Sequence, residues 1–146
     1  MEAPKRRFGR ISAKTSGRVG QTFLRAVFDA NILIDLLSGV IEANNELGRY
    51  SQVAISRISW IEVLTGVRDD EDQNRVESLL AFFEMIELDE AVSRQAIELR
   101  KQYRLKVPDS IVFASAKLRG SVLVTRDLDD FPAGDPGIRV PYGVAP

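Results

Sequence analysis

Apolar residues in this chain fall into short continuous runs, separated by stretches in which they recur every three or four positions. Ala26-Val27-Phe28, Val53-Ala54-Ile55 and Val122-Leu123-Val124 are runs of the first kind, and Met85-Ile86-Glu87-Leu88 is a similar stretch interrupted by one acid. Each is too short for a buried helix and reads as a strand. Ile32, Leu33, Leu36 and Leu37 follow helical spacing and predict a helix that stops near Gly39. A second helix is expected over 41–50. A short one is expected between Ser56 and Gly66, capped by Ser56 or Ser59. Val76, Leu79, Leu80 and Phe83 form a clear stripe, with Asp69 to Asp72 placing negative charge near its start, where the helix dipole favours it. Val92, Ala96, Leu99 and Tyr103 form another. Pro108 suits the first turn of the next helix, which runs to about Arg119 with Gly120 just past its end. The tail, with Pro132, Gly134, Pro136 and Gly137, reads mostly as loop, with Ile138-Arg139-Val140 as a last edge strand.

Helices alternating with fully apolar strands predict an α/β fold with a parallel sheet covered on both faces. A chain of 146 residues fits one such domain and buries an adequate core without disulfides. No apolar run approaches the roughly 20 residues of a membrane span, so no membrane association is expected. The 45% apolar and 28% charged content is ordinary for a globular protein.

Composition narrows the chemistry. Neither cysteine nor histidine occurs. That excludes zinc ribbons, cysteine nucleophiles and Ser-His-Asp triads, and it leaves carboxylates as the natural metal ligands. Oxygen donors suit Mg2+ or Mn2+. The lack of cysteine also fits a reducing cytoplasm. Charge is uneven: the net −1 divides into about +6 over residues 1–25 and about −7 over the remainder. Residues 1–22 are basic and poor in apolar side chains, and read as a flexible arm ahead of a domain spanning 23–146.

Open parallel sheets bind ligands at the carboxyl ends of their strands. Four acids are placed to reach that edge. Asp29 follows the first strand, and Asp127 follows the Val122–Val124 strand by three residues. Glu62 lies early in the helix after the second strand, and Asp109 lies in the first turn of the helix preceding Val122. Each also has a purely structural reading. Asp29 suits a helix cap; Ser59-Trp60-Ile61-Glu62 matches a capping box; Asp109 suits a helix start; and Asp127 suits a solvated turn. Together they make a cluster whose mutual repulsion a divalent cation would relieve. Carboxylate-bound Mg2+ can activate water for an in-line phosphoryl displacement.

Four segments carrying these acids resemble the PIN domain family, and within it the VapC-type toxins of toxin–antitoxin pairs. They are Val27-Phe28-Asp29-Ala30-Asn31-Ile32-Leu33-Ile34-Asp35, Ile58-Ser59-Trp60-Ile61-Glu62-Val63-Leu64-Thr65-Gly66, Val107-Pro108-Asp109-Ser110-Ile111-Val112-Phe113-Ala114 and Leu123-Val124-Thr125-Arg126-Asp127-Leu128-Asp129-Asp130-Phe131. They occur in family order over about residues 26–140. Val112-Phe113 is bulkier than the family's usual small residues.

The resemblance implies a three-layer α/β/α sandwich with a mostly parallel sheet, and Mg2+- or Mn2+-dependent cleavage of single-stranded RNA in the cytoplasm. It implies Asp29, Glu62, Asp109 and Asp127 as catalytic metal ligands, with Asn31 and Thr125 in support and Asp130 as the substitute for Asp127. It also implies a homodimer and a cognate antitoxin that would lay a helix in an apolar groove, for which Leu36, Leu37, Trp60 and Leu64 are candidates. Arg126 reads either as a contact to RNA phosphate or as a solvated turn charge. The competing readings are a catalytically idle PIN-like binding module and a housekeeping RNA-processing nuclease. A haloacid-dehalogenase-type phosphohydrolase is a further rival, but that family wants an Asp where this chain has Asn31.

Overall fold

The computed structural model describes residues 25–132 and 134–143. The basic arm expected at 1–22 lies outside these residues.

Five parallel strands form one sheet in the order β3-β2-β1-β4-β5: β1 (Arg25–Phe28), β2 (Gln52–Ser56), β3 (Glu84–Ile86), β4 (Val122–Val124) and β5 (Ile138–Arg139). The helices are α1 (Ala30–Leu37), α2 (Ile41–Leu47), α3 (Arg57–Thr65), α4 (Asp70–Leu80), α5 (Glu90–Tyr103) and α6 (Val107–Leu118). Successive side chains of a strand face opposite ways, and the sheet uses both faces. Ala26, Phe28, Ile55, Val122 and Val124 enter a core with α1, α2 and α4. Val27, Ala54 and Leu123 enter a second core with α5 and α6. The α/β/α sandwich therefore follows from central strands that present apolar side chains to both faces.

Most element ends have identifiable causes. Gly120 takes φ +61° after α6. Its N–H donates to the Lys117 carbonyl and that of Ser121 to the Ala116 carbonyl, a Schellman closure of the helix. The Asp69 side chain caps α4 by accepting from the Asp72 N–H at 2.8 Å.

Two elements are shorter than the sequence predicts. The helix expected over 41–50 stops at Leu47, because the Arg49 and Tyr50 N–H groups turn back onto the Glu46 and Leu47 carbonyls and fold the Tyr50 ring inward. There Tyr50 packs edge-on against Phe28 at 6.1 Å. The strand expected over 85–88 runs only from Glu84 to Ile86. Its one partner, β2, ends at Ser56, opposite Ile86, leaving Glu87 and Leu88 no ladder to join. The edge strand β5 pairs with β4 as expected, and Arg139 anchors it through a bidentate contact to the buried Glu46, at 2.6 and 3.0 Å.

Strand order reverses between β1 and β4, the position at which parallel sheets open a crevice for ligands.

Candidate active site

The acids gather at that reversal. The Asp29 N–H extends the β1–β4 ladder by donating to the Val124 carbonyl at 2.9 Å, which sets Asp29 beside Thr125. Asp29 is buried and both of its carboxylate oxygens are engaged. Oδ1 accepts the Ala30 N–H at 2.8 Å, so the residue caps α1. Oδ2 accepts the Thr125 hydroxyl at 2.8 Å and the Asn31 amide at 3.5 Å. The capping and site readings of Asp29 thus coexist. Burial drives its carboxyl pKa upward, the Thr125 and Ala30 hydrogen bonds pull it back, and the charge of Asp127 raises it again.

Asn31 and Thr125 hold the turn after β4. The Asn31 side-chain oxygen accepts the Arg126 N–H at 3.2 Å, while its amide donates to the Thr125 hydroxyl oxygen at 3.3 Å. That same oxygen accepts the Asp127 N–H at 3.1 Å.

Glu62 stands at the solvent edge of the group. Desolvation of the carboxyl, then the nearby charge of Asp29, hold its pKa above the usual range. The capping-box reading of Glu62 is not realised. Ser56, not Ser59, caps α3, accepting the Ile58 N–H at 3.1 Å. Because α3 begins at Arg57, Glu62 falls one turn too late to reach back to its cap. Ser59, on the same helical face as Glu62, is fully buried with a hydroxyl that has no partner among the described residues.

Asp109 enters from the first turn of α6. Its carboxyl pKa is pushed up to about 6, by desolvation first and then by the charges of Asp130, Asp29 and Glu62; Lys106 pulls the other way. The fourth position is divided between two acids. Asp127 acts on Asp29, and Asp130 acts on both Asp109 and Asp29. A side-chain hydrogen bond joins Asp130 to Asp127 and is the main reason its own pKa rises. Asp130 therefore stands with Asp127 in the same turn, beside Asp109 and Asp29.

This donor set of carboxylates, an amide and hydroxyls, with no imidazole or thiolate, fits a hard divalent cation. Burial is the main cause that raises Asp29, Glu62 and Asp109, the charge of neighbouring acids adds to it, and such a cation would offset both. Among the described residues no three acids stand close enough together to form a ready-made metal site.

Arg126 differs from both sequence readings. Its guanidinium forks onto Asp35 of α1 at 2.7 and 3.3 Å, and the Tyr142 hydroxyl donates to the same Asp35 at 2.7 Å. With the Arg126 side chain 23% exposed and that of Asp35 13%, this is a half-buried clip and not a phosphate contact. Sequence reasoning missed Asp35 and Tyr142. The available signal was that Asp35 lies within the first motif; Tyr142 had none, being 107 residues away from Asp35.

Of the proposed groove residues, Leu36 belongs to the core and is closed to a partner. Leu37, Trp60 and Leu64 are half-buried against the same core, and Arg57 lies 4.7 Å over the Trp60 ring. The exposed apolar side chains on α1 and α3 are instead Ile34 and Ile61. No helix among the described residues is long and apolar enough to cross a membrane.

The PIN domain family model matches residues 26–134. A chain in a solved toxin–antitoxin complex from Klebsiella pneumoniae is 41% identical, with 82% of this chain and 99% of that one covered and a TM-score of 0.76. At 21% and 20% identity, chains of a DNA-bound VapBC from Salmonella typhimurium and of FitAcB from Neisseria gonorrhoeae share the fold, with TM-scores of 0.65 and 0.64. They cover 80% and 82% of this chain and 96% and 99% of their own. No curated protein matches the sequence significantly. On the matched span and the 41% identical structure, the chain belongs to the PIN domain family, a family of nucleases.

Proposed function

We propose that this protein is an endoribonuclease that hydrolyses phosphodiester bonds in single-stranded RNA with Mg2+ or Mn2+, and that it is the toxin of a toxin–antitoxin pair. The observation that carries the reading is the convergence of Asp29, Glu62 and Asp109 at the strand-order reversal. Burial and mutual repulsion hold all three carboxyls above their usual pKa range. Such a cluster is sustained when a cation is shared among its members.

Asp29 and Asp109 are the direct ligands in this reading. Glu62 acts through water, and the Asp127–Asp130 pair closes the outer side. When bound, the divalent ion lowers the pKa of water and neutralises charge on the phosphoryl oxygens. The protein's own contribution is positional. The Thr125 hydroxyl and the Ala30 N–H fix the Asp29 oxygens, so that Asp29 presents a set geometry without reorganising. Asn31 locks the turn that carries Asp127. Glu62, at the solvent edge, orients the attacking water and takes its proton at a carboxylate oxygen.

Support for the antitoxin comes from the 41% identical chain, which was solved in a toxin–antitoxin complex. Ile34 and Ile61 give a partner helix apolar anchors on α1 and α3.

The test is cleavage of a single-stranded RNA by the wild type and by Asp109→Asn, with Mg2+ and with EDTA. Metal-dependent cleavage lost in the variant is expected. Full activity in EDTA, or an unimpaired variant, would sink the mechanism.

A further inference from the structure

The turn joining α5 to α6 contains an unusual residue. Arg104 ends α5 with φ +58° and ψ +40°, and it is the only non-glycine residue with positive φ among the described residues. Glycine is the ordinary occupant of that left-handed position, because any Cβ is strained there. The strain is held in place by neighbours: the Arg104 N–H donates to the Arg100 carbonyl at 2.8 Å, and the Arg100 guanidinium donates to the Leu105 carbonyl. Backbone strain kept where glycine would remove it points to a use for the side chain.

Beside this turn lies a cavity of about 400 Å3. Arg104 and Lys106 line it together with Asp109, Asp129 and Asp130, and Tyr103 and Phe131 supply apolar wall. The cavity is continuous with the acid cluster through Asp109. The charge of Lys106 reaches both Asp109 and Asp130. A pocket that sets two cations beside the acids of the proposed cleavage site matches a nucleotide unit, with a phosphate for the cations and a sugar or base for the apolar wall.

We propose that this cavity is a subsite for the RNA strand next to the bond being cleaved, with Arg104 and Lys106 holding a backbone phosphate. The proposal rests on the ribonuclease reading above. It also accounts for how a body that is acidic beyond residue 25 keeps a polyanion in place: two cations meet the strand where the acids must act on it.

The experiment compares the wild type with Arg104→Gly/Lys106→Gln, measuring kcat and KM for cleavage of a 12-nucleotide single-stranded RNA. Binding of the same RNA is followed by fluorescence anisotropy across a salt series, in a Glu62→Gln background that slows turnover and leaves the cavity lining intact. The Arg104→Gly change removes charge and backbone strain together, so the variant should melt no lower than the wild type, and weakened binding then cannot be assigned to unfolding. The expected result is KM and Kd raised roughly tenfold, and a salt dependence shallower by about 1.4 in log–log slope, near 0.7 for each cation removed from the phosphates. Arg104→Lys alone should restore most of the affinity contributed at that position.

Unchanged KM, Kd and salt slope in a wild type that cleaves RNA would overturn the subsite and leave the nuclease standing. Binding that depends on the two cations without any cleavage would overturn the nuclease reading and leave the subsite. Neither binding nor cleavage would overturn both.

Discussion

The Thr125 hydroxyl donates to Asp29 Oδ2 across 96 positions of sequence, at 2.8 Å, in the interior of the protein. This one bond joins the end of β4 to the end of β1, and it is the main force opposing protonation of a carboxyl that burial otherwise favours.

Replacing Thr125 with Val keeps the shape and removes the donor. An unsatisfied buried acceptor costs about 1–3 kcal/mol, more when charged, and Asp29 then tends to neutralise. Thr125→Val should therefore lower the denaturant midpoint by that order and weaken Mg2+ binding in calorimetry. A variant with native divalent affinity would show that Asp29 does not need the hydroxyl.

Asp109 gives a pH signature. Its carboxyl pKa rises from 3.8 to about 6 in the folded chain. The folded state thus holds the proton more tightly than the unfolded one, and without divalent ions this group's contribution to stability should fall as pH rises from about 4 to about 6. Metal binding needs the ionised form, so Mg2+ affinity should rise over the same window and flatten above it. Asp109→Asn should remove this component from both the melting and the calorimetric profile.

The Glu46–Arg139 pair should be costly to split. Glu46 is 3% exposed and also accepts the Tyr50 hydroxyl at 2.6 Å. Breaking a buried pair on one side costs about 3–5 kcal/mol. Because the Arg139 side chain is 36% exposed, Arg139→Leu should lie at the lower end, near 3 kcal/mol. Chemical denaturation of this variant and of the double variant with Glu46→Gln would show whether the loss comes from a stranded charge. In that case the double change recovers part of it.

Gly120→Ala isolates backbone strain. A Cβ there would meet nothing within 4 Å, so no clash enters, yet φ is +61°. The expected loss is about 1 kcal/mol, read as a small drop in Tm. A neutral result would mean that the α6 end relaxes.

The layered architecture was legible because Val27, Ala54 and Leu123 on one face and Phe28, Ile55 and Val124 on the other leave no polar side to those strands. Asp29 and Asp109 were legible because a strand end and a helix start put them at one edge. Less was readable where partners are remote in sequence. Ser59 and Glu62 satisfy the capping-box spacing, but the helix cap falls three residues earlier at Ser56, where β2 ends. Arg126 has the sequence context of a solvated turn charge, and only the fold brings Asp35 and Tyr142 to meet it. Asp127 bears on Asp29 and Asp130 on both Asp109 and Asp29, and no local pattern in a turn crowded with three acids announces which does what.

In sheet order, β4 lies beside β1, although it is the fourth strand to be made. Asp29 is therefore made well before the Thr125 hydroxyl that it receives, 96 positions further along the chain. A nascent or truncated chain lacking β4 has neither the ladder nor the assembled acids. Adding β4 to the sheet and bringing the acids of its following turn to Asp29 are therefore one event, and no partial chain that stops short of β4 can carry the assembled group.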